Sequence, residues 1–226
     1  MNLDNPITTF FFDEKKHKKI HKWIHYFDIY HDHFKVIKDI AKKQNRKINI
    51  LEIGIFYGGS LELWNNYFEN VNIYAIDVNP NVKNLISSIP NVKLFIGDQG
   101  NREFLRSVIS QIPEPIDIVI DDGGHRMNQQ IISFEELYPK ININSGIYLC
   151  EDTHTSYWDE YGGGLKRDKT FIEYAKDLID KLNAFHCDKI KPDDFTNTTY
   201  SITFYDSIVL FTKKQKQPLQ TILSGI

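Results

Sequence analysis

The sequence predicts an α/β fold built on a doubly wound sheet, and two observations support this prediction. Apolar runs of strand length alternate with stretches of helical length along most of the 226 residues, which is typical of a parallel sheet with helices on both faces. The last two strand-like runs, 200–205 and 207–212, are separated by Asp206 alone, so we expect them to pair antiparallel. This terminal pair distinguishes the pattern from an all-parallel nucleotide-binding fold.

Each remaining element follows from its own residues. The first strand, 48–54, is apolar, rich in β-branched residues and ended by Gly54, and Ser60 is a candidate N-cap for the next helix. A turn and a short helix are predicted after Pro80. The other predicted strands are 72–77, 92–97, the run from Ile116, and 146–152. The longer predicted helices are 15–43, 60–67, 101–111, 129–138 and 170–183.

Residues 1–46 are predicted to be a helical extension or cover on a single domain that spans residues 1–226. Three histidines in helix 15–43 share one face at a spacing of four residues, either as exposed polar positions or as metal ligands: His17, His21 and His25. The basic run 15–22 is interpreted as a solvated helix face. An aromatic stripe on the same helix either packs in the core or closes over a ligand: Trp23, Tyr26, Phe27, Tyr30 and Phe34.

Composition argues against several classes of protein. The net charge of −3 makes no case for binding to nucleic acid or to an anionic membrane. Cys150 and Cys187 form no redox or metal-binding spacing, and Cys150 is expected to be buried. Without a signal-peptide core or a run of about 20 apolar residues, the chain is expected to be soluble and cytoplasmic, and a homo-oligomer is left open. Abundant Lys, Asn and Ile suggest a low-GC bacterial genome.

Two apolar runs in the second half of the chain end in carboxylates. Asp122 ends the run that begins at Ile116, and Glu151 and Asp152 end the next one. If these strands are neighbours, the three carboxylates meet at one sheet edge with His125 nearby. Because like charges at short range disfavour each other's ionised form, a divalent cation with oxygen ligands would relieve the conflict. Strand ends are also often acidic and solvated, so spacing alone leaves both readings open.

The first half of the chain has the pattern of a nucleoside-binding site. Glycines at 54, 58 and 59 join the first strand to a helix, where a ligand can approach the backbone. Asp77 ends the second strand, where an acid commonly holds ribose hydroxyls, and Asp98 after the third strand can reach an adenine amino group. The loop has no basic residue for a pyrophosphate, which favours an adenosine ligand without phosphate. Capping and turn glycines are the alternative explanation.

These residues carry a resemblance to the S-adenosylmethionine-dependent methyltransferases. The cofactor motifs of that family are matched by Leu51-Glu52-Ile53-Gly54, Asp77 and Gly97-Asp98-Gln99, while Phe56 departs from the usual Glu-x-Gly-x-Gly-x-Gly loop. The strings Ile120-Asp121-Asp122-Gly123-Gly124-His125 and Glu151-Asp152-Thr153-His154-Thr155-Ser156-Tyr157-Trp158 resemble the macrocin and mycinamicin sugar O-methyltransferases, which share features with proteins called cephalosporin hydroxylases. The resemblance covers roughly residues 17–165 and leaves the C-terminal third unmatched.

The resemblance implies a Rossmann-like, seven-stranded class I methyltransferase fold with S-adenosylmethionine and Mg²⁺ as cofactors. It implies that Asp122, Glu151 and Asp152 bind Mg²⁺ and that His125 is the general base. His154, Tyr157 and Trp158 are assigned to the substrate, with His154 also a second candidate base. The residues assigned to the cofactor are Glu52, Gly54, Tyr57, Gly58, Ser60, Asp77, Asp98, Gln99 and Asp121.

The predicted activity is therefore Mg²⁺-dependent O-methylation of a sugar hydroxyl. The acceptor is a natural-product glycoside or a nucleotide-activated sugar for surface polysaccharide, and the low-GC composition favours the latter. Lys166 and Arg167 are candidates to meet a diphosphate. Alternatives are a catechol-type or other small-molecule O-methyltransferase, a nicotinamide-dependent oxidoreductase, which the glycine spacing disfavours, and a non-catalytic cofactor-binding protein.

Overall fold

A computed structural model describes residues 4–13, 17–217 and 219–225. Within them, one mixed sheet has the strand order β3-β2-β1-β4-β5-β7-β6. The strands β1 to β5 pair in parallel, and β7 pairs antiparallel with both β5 and β6. The predicted fold class and the antiparallel C-terminal pair are confirmed. The strands are β1 Ile48–Ile53, β2 Val71–Asp77, β3 Val92–Ile96, β4 Ile118–Asp121, β5 Ile147–Cys150, β6 Thr199–Tyr205 and β7 Ile208–Lys213.

Helices cover both faces of this sheet, as the alternating pattern predicts. They are α1 Pro6–Phe12, α2 Tyr26–Lys43, α3 Gly59–Phe68, α4 Val82–Ile86, α5 Arg102–Ile109, α6 Met127–Leu137, α7 Phe171–Leu182 and α8 Asp194–Thr198. Two buried clusters result: one packs α1 to α4 on the sheet, and the other packs α5, α6 and α7 on the opposite face. Cys150 is fully buried in the second cluster, as expected. Among the described residues, no helix has the length and apolarity needed to cross a membrane.

The N-terminal region differs most from the prediction. The start of predicted helix 15–43 lies outside the described residues, and residues 17–25 are irregular, because α2 begins at Tyr26. His17, His21 and His25 therefore do not share a helix face. Tertiary contacts explain the difference: the Lys18 backbone N–H donates to Glu62 at 2.6 Å, and this contact holds the segment across the beginning of α3. Helix propensity is a weak preference that such contacts override.

Two cap assignments show how backbone geometry decides where a helix begins. Ser60 is not the N-cap of α3, because Gly58 takes that position with φ +86°, a left-handed conformation that suits glycine. Helices α1 and α8, which the sequence analysis did not predict, both begin with a side-chain cap. Asn5 accepts from the Ile7 N–H, and Asp193 forms a capping box with Thr196.

A buried ion pair stabilises the end of the sheet where the parallel strands β1 and β4 begin. Asp117 is fully buried and accepts both guanidinium hydrogen bonds of Arg46 at 2.8 Å. It also accepts from the Asn49 backbone N–H at 2.9 Å and from the Asn142 amide at 3.1 Å. These four donors satisfy the carboxylate and join the end of α2, β1 and the segment before β5.

We predict that Asp117→Ala lowers the free energy of unfolding by about 3 kcal/mol, because it leaves buried donors without an acceptor. Urea unfolding followed by circular dichroism measures the change. Asp159→Ala is the matched control, since Asp159 pairs with Arg167 on the exposed surface; we expect less than about 0.5 kcal/mol there. Equal effects for the two variants would contradict the structural role of Asp117.

Candidate functional site

A cavity of about 390 Å³ lies where strands β1 to β4 end. Four of the residues assigned to the cofactor line it, namely Gly54, Asp77, Asp98 and Gln99. The side chains of the acidic cluster reach the same cavity through Asp122, His125 and Asp152. His21, Phe56 and Gln129, which sequence reasoning did not assign to the cofactor, also line it.

The floor of the cavity depends on a close backbone contact at Gly54. Its φ is +88°, and a Cβ there would lie 2.0 Å from the carbonyl oxygen of Asp122. Asp77 fixes the adjoining loops, because its carboxylate accepts from the Ile55 N–H at 2.9 Å and from the Asn79 N–H at 2.8 Å. The end of β2 thus sets the shape of the loop after β1.

Gln99 is oriented by a buried network beneath the cavity. Its amide donates to Asp121 at 2.8 Å, and its oxygen accepts from the Gly124 N–H at 2.8 Å. Asp121 also accepts from Tyr148 at 2.8 Å, and burial raises the pKa of this carboxyl to about 7. Asp121 was assigned to cofactor contact, but it does not line the cavity. It holds Gln99 in place instead.

Other residues assigned to the cofactor lie behind or beside the cavity. Glu52 is fully buried and accepts from the Trp64 indole at 2.9 Å; its Oε1 has no partner among the described residues. Burial raises the pKa of Glu52 to about 7. Gly58 and Ser60 belong to the beginning of α3, and Ser60 lines a small adjoining pocket; Tyr57 is exposed. None of these four lines the main cavity.

Beta strands β4 and β5 bring the predicted acidic cluster together. Asp122, His125 and Asp152 each offer one ligand atom, and these atoms lie within 4.8 Å of one another. The Nε2 atom of His125 is 3.7 Å from an oxygen of each carboxylate. His125 and Asp152 have φ values of +55° and +51°, which are uncommon for residues with a side chain. Such conformations concentrate at functional sites, where the surrounding structure maintains them.

Glu151 is held differently from the other two carboxylates. It is fully buried, and its two oxygens accept from Tyr30 and from Lys22, each at 2.7 Å. The same Lys22 ammonium lies 2.5 Å from Asp122, and its side chain is only 5% exposed. The interpretation of the basic run as a solvated helix face is therefore wrong for Lys22. Although burial alone would lower it, the charges of Asp122, Glu151 and Glu52 raise the pKa of Lys22.

Two tyrosines of α2 reach the cluster from the aromatic stripe. Tyr26 donates to Asp152 at 2.7 Å, and Tyr30, one helical turn later, donates to Glu151. Both rings are buried in the core, as one of the two explanations for the stripe predicts; closure over a ligand stays a prediction. The signal available in the sequence was the hydroxyl group, because buried tyrosine hydroxyls usually need a polar partner.

The residues assigned to the substrate form a rim beside the cavity and do not line it. Tyr157 and Trp158 are 49% and 45% exposed, and the His154 ring lies 4.6 Å from that of Trp158. His154 also hydrogen-bonds Ser207. On the next loop, Arg167 is paired with Asp159 at 2.8 Å, whereas the Lys166 side chain is exposed.

Comparison with known proteins identifies relatives of one kind. The chain is 34% identical over 172 residues, 72% of its length, to the 8-demethyl-8-alpha-L-rhamnosyl tetracenomycin-C 2'-O-methyltransferase of Streptomyces olivaceus. It is 33% identical over 174 residues, 71% of its length, to the demethylmacrocin O-methyltransferase of Streptomyces fradiae. The MycE methyltransferase of the mycinamycin biosynthetic pathway, solved with Mg and SAH, superposes with a TM-score of 0.77 at 26% identity. The resemblance to the macrocin and mycinamicin sugar O-methyltransferases is confirmed.

The alignments cover most of this chain but a smaller share of each relative. The MycE alignment covers 93% of this chain and 54% of MycE. The alignments cover 43% of the tetracenomycin enzyme and 41% of the macrocin enzyme, so the chain spans less than half the length of these curated relatives. No family model matches the chain.

We predict that Gly54→Ala destabilises the protein by about 1–3 kcal/mol more than Gly162→Ala, because only the first substitution creates a clash with backbone. Gly162 is a matched control: its φ is +83°, and a Cβ there would meet nothing closer than a Met127 carbon at 3.9 Å. Both variants share the left-handed strain of about 1–2 kcal/mol. Urea unfolding measures the difference, and equal losses would exclude the close contact with Asp122.

Proposed function

We propose that this chain is a metal-dependent, S-adenosylmethionine-using sugar O-methyltransferase. The observation that carries the proposal is the junction of two sites. A cavity suited to a nucleoside opens onto Asp122, His125 and Asp152, in a chain related to sugar O-methyltransferases. A methyl donor in the cavity and a hydroxyl at the cluster would then face each other, and such alignment is the main requirement for a displacement reaction.

The cavity has the chemistry of an adenosine site without a phosphate site. Asp77 and Asp98 supply carboxylates for ribose hydroxyls and an adenine amino group, while Gln99 adds an oriented amide. Among the described residues that line the cavity there is no Lys or Arg to pair with a pyrophosphate. This charge pattern favours S-adenosylmethionine over a nicotinamide dinucleotide.

The acidic cluster fits a hard divalent cation. Asp122 and Asp152 offer carboxylate oxygens that lie within 4.8 Å of each other and of a ring nitrogen of His125, which stays available as the base. Glu151, assigned as the third carboxylate ligand, borders the cluster through Lys22, which it shares with Asp122. When bound, Mg²⁺ would lower the pKa of a sugar hydroxyl, and S-adenosylmethionine would supply the methyl group.

We assign His125 as the general base that would accept the proton of that hydroxyl. Its Nε2 atom faces the carboxylates of Asp122 and Asp152, which would stabilise the imidazolium that forms. Its backbone is held in position because Thr155 donates to the His125 carbonyl at 3.1 Å. Tyr26 orients Asp152, so the α2 helix contributes to the alignment of the base.

The exposed aromatic rim suits a sugar ring, since Tyr157 and Trp158 present flat apolar faces beside the cluster. The relatives are named for glycoside substrates, and one MycE structure contains mycinamycin VI. A glycoside is therefore the acceptor class that we propose. The nucleotide-sugar and surface-polysaccharide alternative stays a prediction from composition; on that loop Arg167 is paired with Asp159, while Lys166 and Lys169 are exposed.

We predict that S-adenosylhomocysteine binds the purified protein and that NAD does not, because the cavity lacks a pyrophosphate partner. Asp77→Asn should weaken S-adenosylhomocysteine binding by about 1–3 kcal/mol, the cost of a lost charged hydrogen bond. Isothermal titration calorimetry measures both.

With labelled S-adenosylmethionine, the protein should methylate members of a glycoside panel, and a chelator should abolish transfer until Mg²⁺ is restored. Binding of NAD without binding of S-adenosylhomocysteine, or full methyl transfer in metal-free protein, would contradict the proposal.

We predict that His125→Ala lowers turnover by about 100- to 10,000-fold, the usual range for loss of a general base. Mg²⁺ affinity, measured by calorimetry on the same variant, separates two roles: a base leaves it nearly unchanged, whereas a metal ligand weakens it strongly. His154→Ala is the control, because His154 is held by Ser207 at the rim and should mainly raise KM. Near wild-type turnover of His125→Ala with a large loss in His154→Ala would reverse the two assignments.

A further inference from the structure

Residues 17–25, here called the strap, lie between α1 and α2. They cross the edge of the sheet where the parallel strands end. Two residues of the strap touch the candidate site, and a third anchors the strap to α3. Lys22 reaches Asp122 and Glu151, His21 lines the main cavity, and the Lys18 backbone binds Glu62 on α3. The strap therefore contacts both the cavity and the acidic cluster.

We propose that the strap is an internal competitor for the metal, with the Lys22 ammonium occupying the carboxylates that Mg²⁺ needs. Metal binding at both carboxylates and release of Lys22 from them are then coupled. This inference rests on the proposed function, because it assigns regulation to the same acidic cluster.

Geometry makes the two cations compete for one pair of oxygens, Asp122 Oδ2 and Glu151 Oε2. The Lys22 ammonium lies 2.5 Å from Asp122 Oδ2 and 2.7 Å from Glu151 Oε2. Mg²⁺ binds oxygen at about 2.1 Å and requires a near-octahedral set of ligands around it. A second cation between the same two oxygens would lie within contact distance of the ammonium, where like charges repel. Mg²⁺ can therefore use both carboxylates only after Lys22 has left them.

Charge balance explains why the strap stays in place without metal. Asp122, Glu151 and Glu52 all act on Lys22, and two of the three, Glu52 and Glu151, are fully buried. Withdrawal of the ammonium alone would leave buried carboxylates without a counter-charge, which is costly. Entry of a divalent cation removes that cost. The cation therefore replaces the Lys22 ammonium at the carboxylates, and these are not left without a counter-charge.

The contacts of residues 21–25 are compatible with release, whereas Lys18 on Glu62 and Ile20 on the core anchor the first part of the strap. The backbone of residues 21–25 is irregular, and Trp23 and Ile24 are exposed. His25 is joined to the carbonyl of Asp206 by a single hydrogen bond at 3.0 Å. Segments with few buried apolar contacts open at low free-energy cost. Because His21 lines the cavity, release of Lys22 would also widen the entrance for the methyl donor.

The test compares Lys22→Met with Lys19→Met, a control on the same strap whose side chain is exposed and packs over Tyr57. Calorimetry with Mg²⁺ alone should give at least about tenfold tighter binding for Lys22→Met than for wild type, because the competitor is gone. Lys19→Met should bind Mg²⁺ as wild type does. Unchanged or weaker binding in Lys22→Met, or no Mg²⁺ binding in either protein, overturns the proposal.

A second measurement needs no variant. Hydrogen exchange of backbone amides in residues 21–25 of the wild-type protein should accelerate when Mg²⁺ is added, and unchanged exchange overturns the proposal even if Lys22→Met fails to fold. Binding of S-adenosylhomocysteine is measured separately on the wild type. Its absence would count against the proposed function, whereas the strap is judged by Mg²⁺ affinity and amide exchange.

Discussion

The concentration of negative charge at the ends of β4 and β5 constrains the rest of this structure. Asp122, Glu151 and Asp152 follow neighbouring parallel strands, and Glu52 is buried behind them on β1. Carboxylates at such short range repel one another unless positive charge or donated hydrogen bonds compensate. The protein supplies both, through the ammonium of Lys22 and the hydroxyl groups of Tyr26 and Tyr30. The N-terminal region is thus an electrostatic complement to the sheet edge as well as a cover for its core.

The cavity and the acidic cluster are built from the same loops, which explains why they cannot vary independently. Gly54 lies against the carbonyl of Asp122, and Gln99 accepts from the N–H of Gly124, so the loop after β4 is fixed by residues that follow β1 and β3. A shift in any of these loops would change the position of His125 in the lining of the cavity. The proposed methyl transfer would depend on such alignment, because displacement reactions require reacting groups in a defined geometry.

Sequence reasoning predicted the sheet, its antiparallel end and the meeting of Asp122 with Asp152 because these depend on local periodicity and on a topological rule for strand ends. It did not place Lys22, because no pattern within residues 15–25 shows that a lysine will be drawn to acids about 100 and 129 residues away. Asp121 and Glu52 were assigned to the cofactor from the family motifs, and in the structure each accepts a hydrogen bond from a buried neutral side chain, Gln99 and Trp64 respectively. Contacts between residues far apart in the chain decided what local spacing could not.

The turn between β6 and β7 has a consequence for how the surrounding loops can change. The carbonyl of Asp206 accepts from His25, that of Ser207 accepts from Tyr26 and from the Thr153 N–H, and the Ser207 hydroxyl pairs with His154. This hairpin tip therefore acts as a hub that joins the strap, α2 and the loop carrying the aromatic rim. Insertion or deletion at the tip would shift Tyr26 and Thr153, and with them Asp152, so the loop after β5 and the N-terminal region can change only in concert.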